Sequence, residues 1–129
     1  MKKLITLITL LLLLCSTLSF AQNPSKGSRV EATGTGAIAK SFTAVRNTYL
    51  KSVSLHLSAA ATQETLTITL DSAKGAAYDT VLFSQAMAGY ADVVWLLDDE
   101  LLLEEGDIVI ATFTNTDART YGIVIAYEN

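Results

Sequence analysis

The chain has 129 residues, half of them hydrophobic, with nine Lys and Arg against 13 Asp and Glu and a single cysteine. That length suits one ordinary domain with one core and leaves no room for a second. An acidic balance without a basic stripe interleaved with aromatics excludes nucleic acid as the main partner.

The amino terminus reads as an export signal. Met1-Lys2-Lys3 is a basic start, residues 4–14 are an almost unbroken apolar run, and Ser19-Phe20-Ala21 sets small residues three and one before a cut ahead of Gln22. The apolar run is short against the roughly 20 residues that cross a bilayer, so the exported chain is expected to be secreted, periplasmic or at the cell surface, with no membrane segment after cleavage. Leu14 precedes Cys15, where a lipoprotein signal needs a small residue. Removing 21 of the 129 residues leaves 108 and takes Cys15 away, so neither a disulfide nor a thiolate metal site is available.

Cleavage also removes Lys2 and Lys3, which leaves seven basic residues against 13 acidic ones, a charge of minus six. The distribution is lopsided. Lys26, Arg29, Lys40, Arg46 and Lys51 stand against Glu31 alone, whereas from Ser52 onward Lys74 and Arg119 face 12 acids. Such asymmetry suits head-to-tail attraction between copies, or simply solvated loops of different sign.

Residues 22–48 read as a flexible or weakly stranded arm, rich in Ser, Thr, Gly and Ala, and residues 49–129 as the β-sandwich body. Thr33-Gly34-Thr35-Gly36 holds a Gly-x-Gly, but lacks the third glycine and following helix of a dinucleotide site. From Tyr49 a period of two takes over: Val53, Leu55 and Leu57 alternate with Ser52, Ser54 and His56, and Leu66, Ile68 and Leu70 with Thr65, Thr67 and Thr69. These are expected to be neighbouring strands. Another strand follows over residues 78–84, then a loop with Gly89 and Tyr90 near its tip.

Residues 94–114 organise the remainder. Three apolar runs, 94–97, 101–103 and 108–114, are separated by Asp98-Asp99-Glu100 and by Glu104-Glu105-Gly106-Asp107, which predicts three successive strands with Trp95 as a core anchor. The chain is expected to close on a hairpin around Asn115-Thr116-Asp117-Ala118-Arg119. Seven or eight short strands without an amphipathic helix predict an all-β fold, an antiparallel two-sheet β-sandwich of jelly-roll type.

Few residues carry chemistry. His56 is the sole histidine and has no nucleophile elbow near it, so a Ser-His-Asp triad is not supported. The acids Asp98, Asp99, Glu100, Glu104, Glu105 and Asp107 are the candidates for calcium, which takes six to eight oxygens, although their spacing matches no EF-hand and equally describes solvated turns. A carboxylate pair for glycoside hydrolysis would need a cleft that no pattern here predicts. Tyr49, Tyr78 and Tyr90 are the candidates for stacking on a glycan, because they fall at strand ends or in loops.

Three runs carry a resemblance: residues 53–60 (VSLHLSAA), residues 66–72 with 75–82 (LTITLDS and GAAYDTVL), and residues 115–122 (NTDARTYG). Together they resemble small uncharacterised β-proteins encoded among tailed-phage and prophage structural genes, over roughly Tyr49 to Tyr127. The resemblance implies a virion or appendage component that works by assembly or attachment, and brings no catalytic residues. Proteins of that kind usually lack a secretory signal, and the Phe20-Ala21-Gln22 ending resembles those of Bacteroidota exports, so cell-surface assembly stands beside the virion role. The expectation is a non-catalytic structural protein forming homo-oligomers or binding assembly partners; the alternative is a secreted module that binds carbohydrate or calcium.

Overall fold

The computed structural model describes residues 27–129. The export signal, its cut before Gln22 and the linker up to Lys26 lie outside the described residues. Eight strands follow in order among the described residues: β1 (Gly27–Gly34), β2 (Ile38–Thr43), β3 (Thr48–Leu57), β4 (Thr65–Asp71), β5 (Thr80–Ala86), β6 (Asp92–Leu103), β7 (Ile108–Phe113) and β8 (Tyr121–Glu128), with a short 3-10 helix, Ala76–Tyr78, before β5. One sheet has the order β1-β8-β3-β6 and the other β2-β7-β4-β5, and every pairing is antiparallel. That order is the jelly roll, the two-sheet form expected from the sequence.

Alternation builds the core. Val53, Leu55 and Leu57 of β3 and Ile123 and Ile125 of β8 line one inner face, and Leu66 and Ile68 of β4 with Val109, Ala111 and Phe113 of β7 line the other. All are buried, so the four central strands carry most of the apolar burial that stabilises the fold. The edges are thinner. Phe42 of β2 stacks on Tyr127 of β8, with ring centroids 4.0 Å apart, and Phe83 of β5 stacks on Trp95 of β6, with centroids 5.3 Å apart. These two ring pairs tie one sheet to the other.

Residues 27–48, within the span expected to form a flexible or weakly stranded arm, supply an edge strand to each sheet, β1 and β2, and place Ile38, Phe42 and Ala44 in the core. Their modest apolar content suits edge strands, which bury less than central ones. Residues 94–103 belong to one strand, not two: β6 runs for 12 residues straight through Asp98-Asp99-Glu100. Between Leu96, opposite Ser52, and Leu101, opposite Leu50, four β6 residues face the single Lys51 of β3, so the acids form a bulge on a strand with a free outer edge. Trp95 is half-buried at that edge instead of central.

The pairings differ as well. β3 and β4 lie in opposite sheets, and so do β7 and β8, so the turn around Asn115 is a crossover, not a hairpin. Among the described residues, β4 and β5 are the consecutive strands that share a sheet. Period-two alternation reports which face of a strand is buried and is silent about which sheet that face belongs to.

Deleting residues 22–45 is therefore expected to abolish folding, seen as loss of a cooperative thermal transition by circular dichroism. Phe42→Ala, which removes a buried ring and its stack on Tyr127, is expected to cost about 3 kcal/mol in denaturant unfolding.

Candidate functional site

The strand directions divide the connections between two poles. At one pole Asp107 clasps three of them. Its Oδ1 accepts from the Ala73 N–H at 2.9 Å and the Ser72 hydroxyl at 3.3 Å, and its Oδ2 accepts from the Glu104 N–H at 2.9 Å. The Asp107 carbonyl accepts from the Ala44 N–H, and the Ala44 carbonyl from the Gly106 N–H. Gly106 has a φ of 93°, the left-handed backbone this tight turn requires. Burial pushes the Asp107 carboxyl upward, but the two backbone N–H groups, the Ser72 hydroxyl and the Lys74 charge outweigh it and hold the pKa below the ordinary value.

The other acids of the calcium set disperse. Glu104 pairs with Lys74 at 2.6 Å, and Glu100 pairs with Lys51, which also reaches Glu128 at 3.0 Å. Hydrogen bonds that Lys51 donates to Glu100 and then to Glu128 raise its pKa, and the bond Lys74 donates to Glu104 raises that of Lys74. Asp98 and Asp99 are exposed in the β6 bulge, and Glu105 is exposed in the turn before β7. Among the described residues no group of three or more His, Cys, Asp or Glu is placed to hold a metal ion.

At the opposite pole the buried Asn115 side chain donates to the Thr35, Gly36 and Arg119 carbonyls and accepts from the Arg119 N–H. Asp117 accepts from the Thr62 N–H at 3.0 Å and from its hydroxyl, which lowers the Asp117 pKa. Side chains thus join three connections here too.

The tyrosines do not converge. Tyr49 lies on the outer face of β3, opposite Leu102 and Glu128, and Tyr78 sits in the 3-10 helix at the Asp107 pole. Tyr90 belongs to the other pole, in the β5–β6 connection, where it borders a groove of about 320 Å³ lined by Phe83, Gln85, Tyr90, Asp92, Val93 and Val94. Asp92 faces His56 across the β3–β6 ladder, and the His56 Nδ1 donates to its Oδ1 at 2.6 Å. Gln85 and Asp92 were not singled out from the sequence. Their relation to Tyr90 depends on β5 and β6 being the edges of two stacked sheets on the same side. A second depression, of about 370 Å³, lies beside Asp71 and Asp79 at the ends of β4 and β5.

The outer face of the β1-β8-β3-β6 sheet carries a second notable surface. Ladder register places Arg29, Ala126, Ser52 and Leu96 in one row and Glu31, Val124, Ser54 and Val94 in the next. Val94 and Leu96 are 64% and 66% exposed, so two large aliphatics face solvent on one strand. Leu102 and Tyr49 continue the apolar edge beyond the acidic bulge.

These features define a jelly-roll domain with both poles clasped and two open surfaces. No known protein family matches the chain, and no curated protein does. Among solved structures it is similar to PliG of Aeromonas hydrophila, described as a periplasmic inhibitor of g-type lysozyme, at 9% identity over 85% of this chain and 92% of that one, with a TM-score of 0.37. A likeness of that size carries no argument about function. Among the described residues no helix is long and apolar enough to cross a membrane.

The lowered pKa of Asp107 sets a pH dependence. Between the folded and unfolded pKa the unfolded chain binds more protons, so the contribution is complete above the unfolded carboxylate value near 3.8 and is lost as pH falls through the folded one. Thermal midpoints are expected to fall as the pH drops below about 4. In Asp107→Ala, which leaves the Ala73 and Glu104 N–H groups without their acceptor, stability at neutral pH is expected to fall by about 1–3 kcal/mol, with a flatter acid limb.

Proposed function

We propose that the protein is an exported, non-catalytic structural component that works through contacts between copies of itself, made by the outer face of the β1-β8-β3-β6 sheet. The observation that carries this reading is the exposure of Val94 and Leu96 side by side on that face. Two such aliphatics on one strand, next to rows of small side chains, form the flat, weakly polar surface that a second sheet covers well.

Charge at the margins supports a two-fold arrangement. Arg29 sits on β1 in the same row as Leu96, and Asp98 and Asp99 follow Leu96 on β6 at the opposite margin. A two-fold axis parallel to the strands sets each β1 against the β6 of the other copy, so Arg29, ion-paired with Glu31 at 2.5 Å, comes over Leu96 beside the acidic bulge, and Glu31 comes over Val94. Among the described residues, the ionisable groups with shifted pKa values, Lys51, Lys74, Asp107 and Asp117, all have structural partners, and none of these four is tuned inside a cleft as an acid or base would be. Export rests on the amino-terminal sequence, and a virion, appendage or cell-surface setting rests on the resemblance to phage structural proteins.

Light scattering across micromolar to millimolar protein is expected to give a dimer or larger assembly that loosens as salt rises. Leu96→Lys is expected to give a folded monomer. A wild-type monomer at every concentration and salt would sink the reading.

A further inference from the structure

The groove beside Tyr90 shares Val94 with the face proposed for contact between copies, but its polar groups and its ring lie at the β5–β6 margin of that face. A neutral sugar presents a weakly polar C–H face and a rim of hydroxyls that each donate and accept. A site for it needs an exposed ring for the face and fixed planar polar groups for the rim.

Tyr90 supplies the ring. It is 56% exposed, yet its backbone is held on both sides: its N–H donates to the Met87 carbonyl at 2.8 Å and its carbonyl accepts from the Ala61 N–H at 3.0 Å. Gly89 turns the chain with a φ of 82° and donates to the Ala61 carbonyl, and Met87 is fully buried beneath the loop. An exposed aromatic on a loop whose backbone bonds are already made loses little entropy when it binds.

The polar partners are set beside it. Asp92 lines the groove; one of its carboxylate oxygens accepts from His56, which orients the group and leaves Oδ2 to accept from a ligand hydroxyl. Gln85 lines it from β5; its Nε2 donates to the Ala86 carbonyl at 2.8 Å, which orients the amide and leaves Oε1 as an acceptor. The remaining lining is apolar, and the Phe83 ring there is backed by Trp95. The lining contains one carboxylate and no Lys or Arg, which disfavours an anionic ligand. We propose that this groove binds a neutral saccharide, with Tyr90 as the stacking platform and Asp92 and Gln85 as partners for its hydroxyls.

Trp95 is the sole tryptophan and stacks on a lining residue, so its emission reports occupancy. The exported chain would be titrated with cellohexaose, xylohexaose, chitohexaose and maltohexaose, followed by Trp95 fluorescence and calorimetry. At least one is expected to bind saturably with a change in emission. Tyr90→Ala is expected to weaken that binding about tenfold or more and Asp92→Asn by a smaller factor, while Tyr49→Ala and Tyr78→Ala leave it unchanged. Leu96→Lys, the variant aimed at contact between copies, leaves the groove lining intact and frees Val94, so it is expected to bind at least as tightly as the wild type whether or not the wild type associates, and the two readings fail independently. Absence of binding to all four sugars, or binding undiminished by Tyr90→Ala, would overturn the proposal.

Discussion

Burial of one aliphatic layer between two sheets is the interaction on which the rest of this structure depends. The described residues contain no cysteine, so no covalent crosslink shares the work. β3 and β8 are the inner strands of one sheet and β4 and β7 of the other, and their inward side chains are almost wholly buried. Two aromatic stacks bind outer strands across the sandwich: Phe42 of β2 on Tyr127 of the inner strand β8, and Phe83 on Trp95 between the outer strands β5 and β6. The order of burial from centre to edge therefore also sets where the molecule can spare side chains for other roles, and both surfaces with unusual chemistry involve the β6 edge.

The poles meet a different demand. A jelly roll sends most of its connections from one sheet to the other, and each crossing leaves backbone groups without ladder partners. Asp107 at one pole and Asn115 at the other answer this with side chains that mimic a strand, accepting from or donating to main-chain groups of separate loops. Both residues are buried and hydrogen-bonded, as such groups must be in an interior of low polarity. Much of the acidity in the chain is thereby structural: Asp107 and Asp117 serve connections, and Glu100 and Glu104 neutralise lysines.

What could be read from the sequence follows the same division. The alternation at Val53, Leu55 and Leu57 and at Leu66, Ile68 and Leu70 identified strands and their buried faces, because a period of two has one structural meaning at that length. Sheet membership stayed hidden, since a polar connection such as residues 58–64 can return a strand beside its neighbour or carry it across the core. The acidic run at Asp98 looked like a turn because charged residues interrupt an apolar pattern in the same way at a bulge. Asp107 was recognisable as a turn residue, but its clasp on Ser72 and Ala73 depends on tertiary placement. Of the tyrosine candidates, Tyr90 gains polar neighbours from β5 and β6, and no local spacing encodes that.

The register of β1 and β8 has a mechanical consequence. Gly27 lies opposite Glu128 and Gly34 opposite Tyr121, so the start of β1 and the end of β8 lie side by side at the Asp107 pole. A pull applied between Gly27 and Glu128 loads the β1–β8 ladder at its first rung and opens it like a zipper, one or two hydrogen bonds at a time. Shear, which would load all the rungs at once, requires force along the strands from opposite ends. Tension between these two points therefore meets the β1–β8 ladder in its weakest direction.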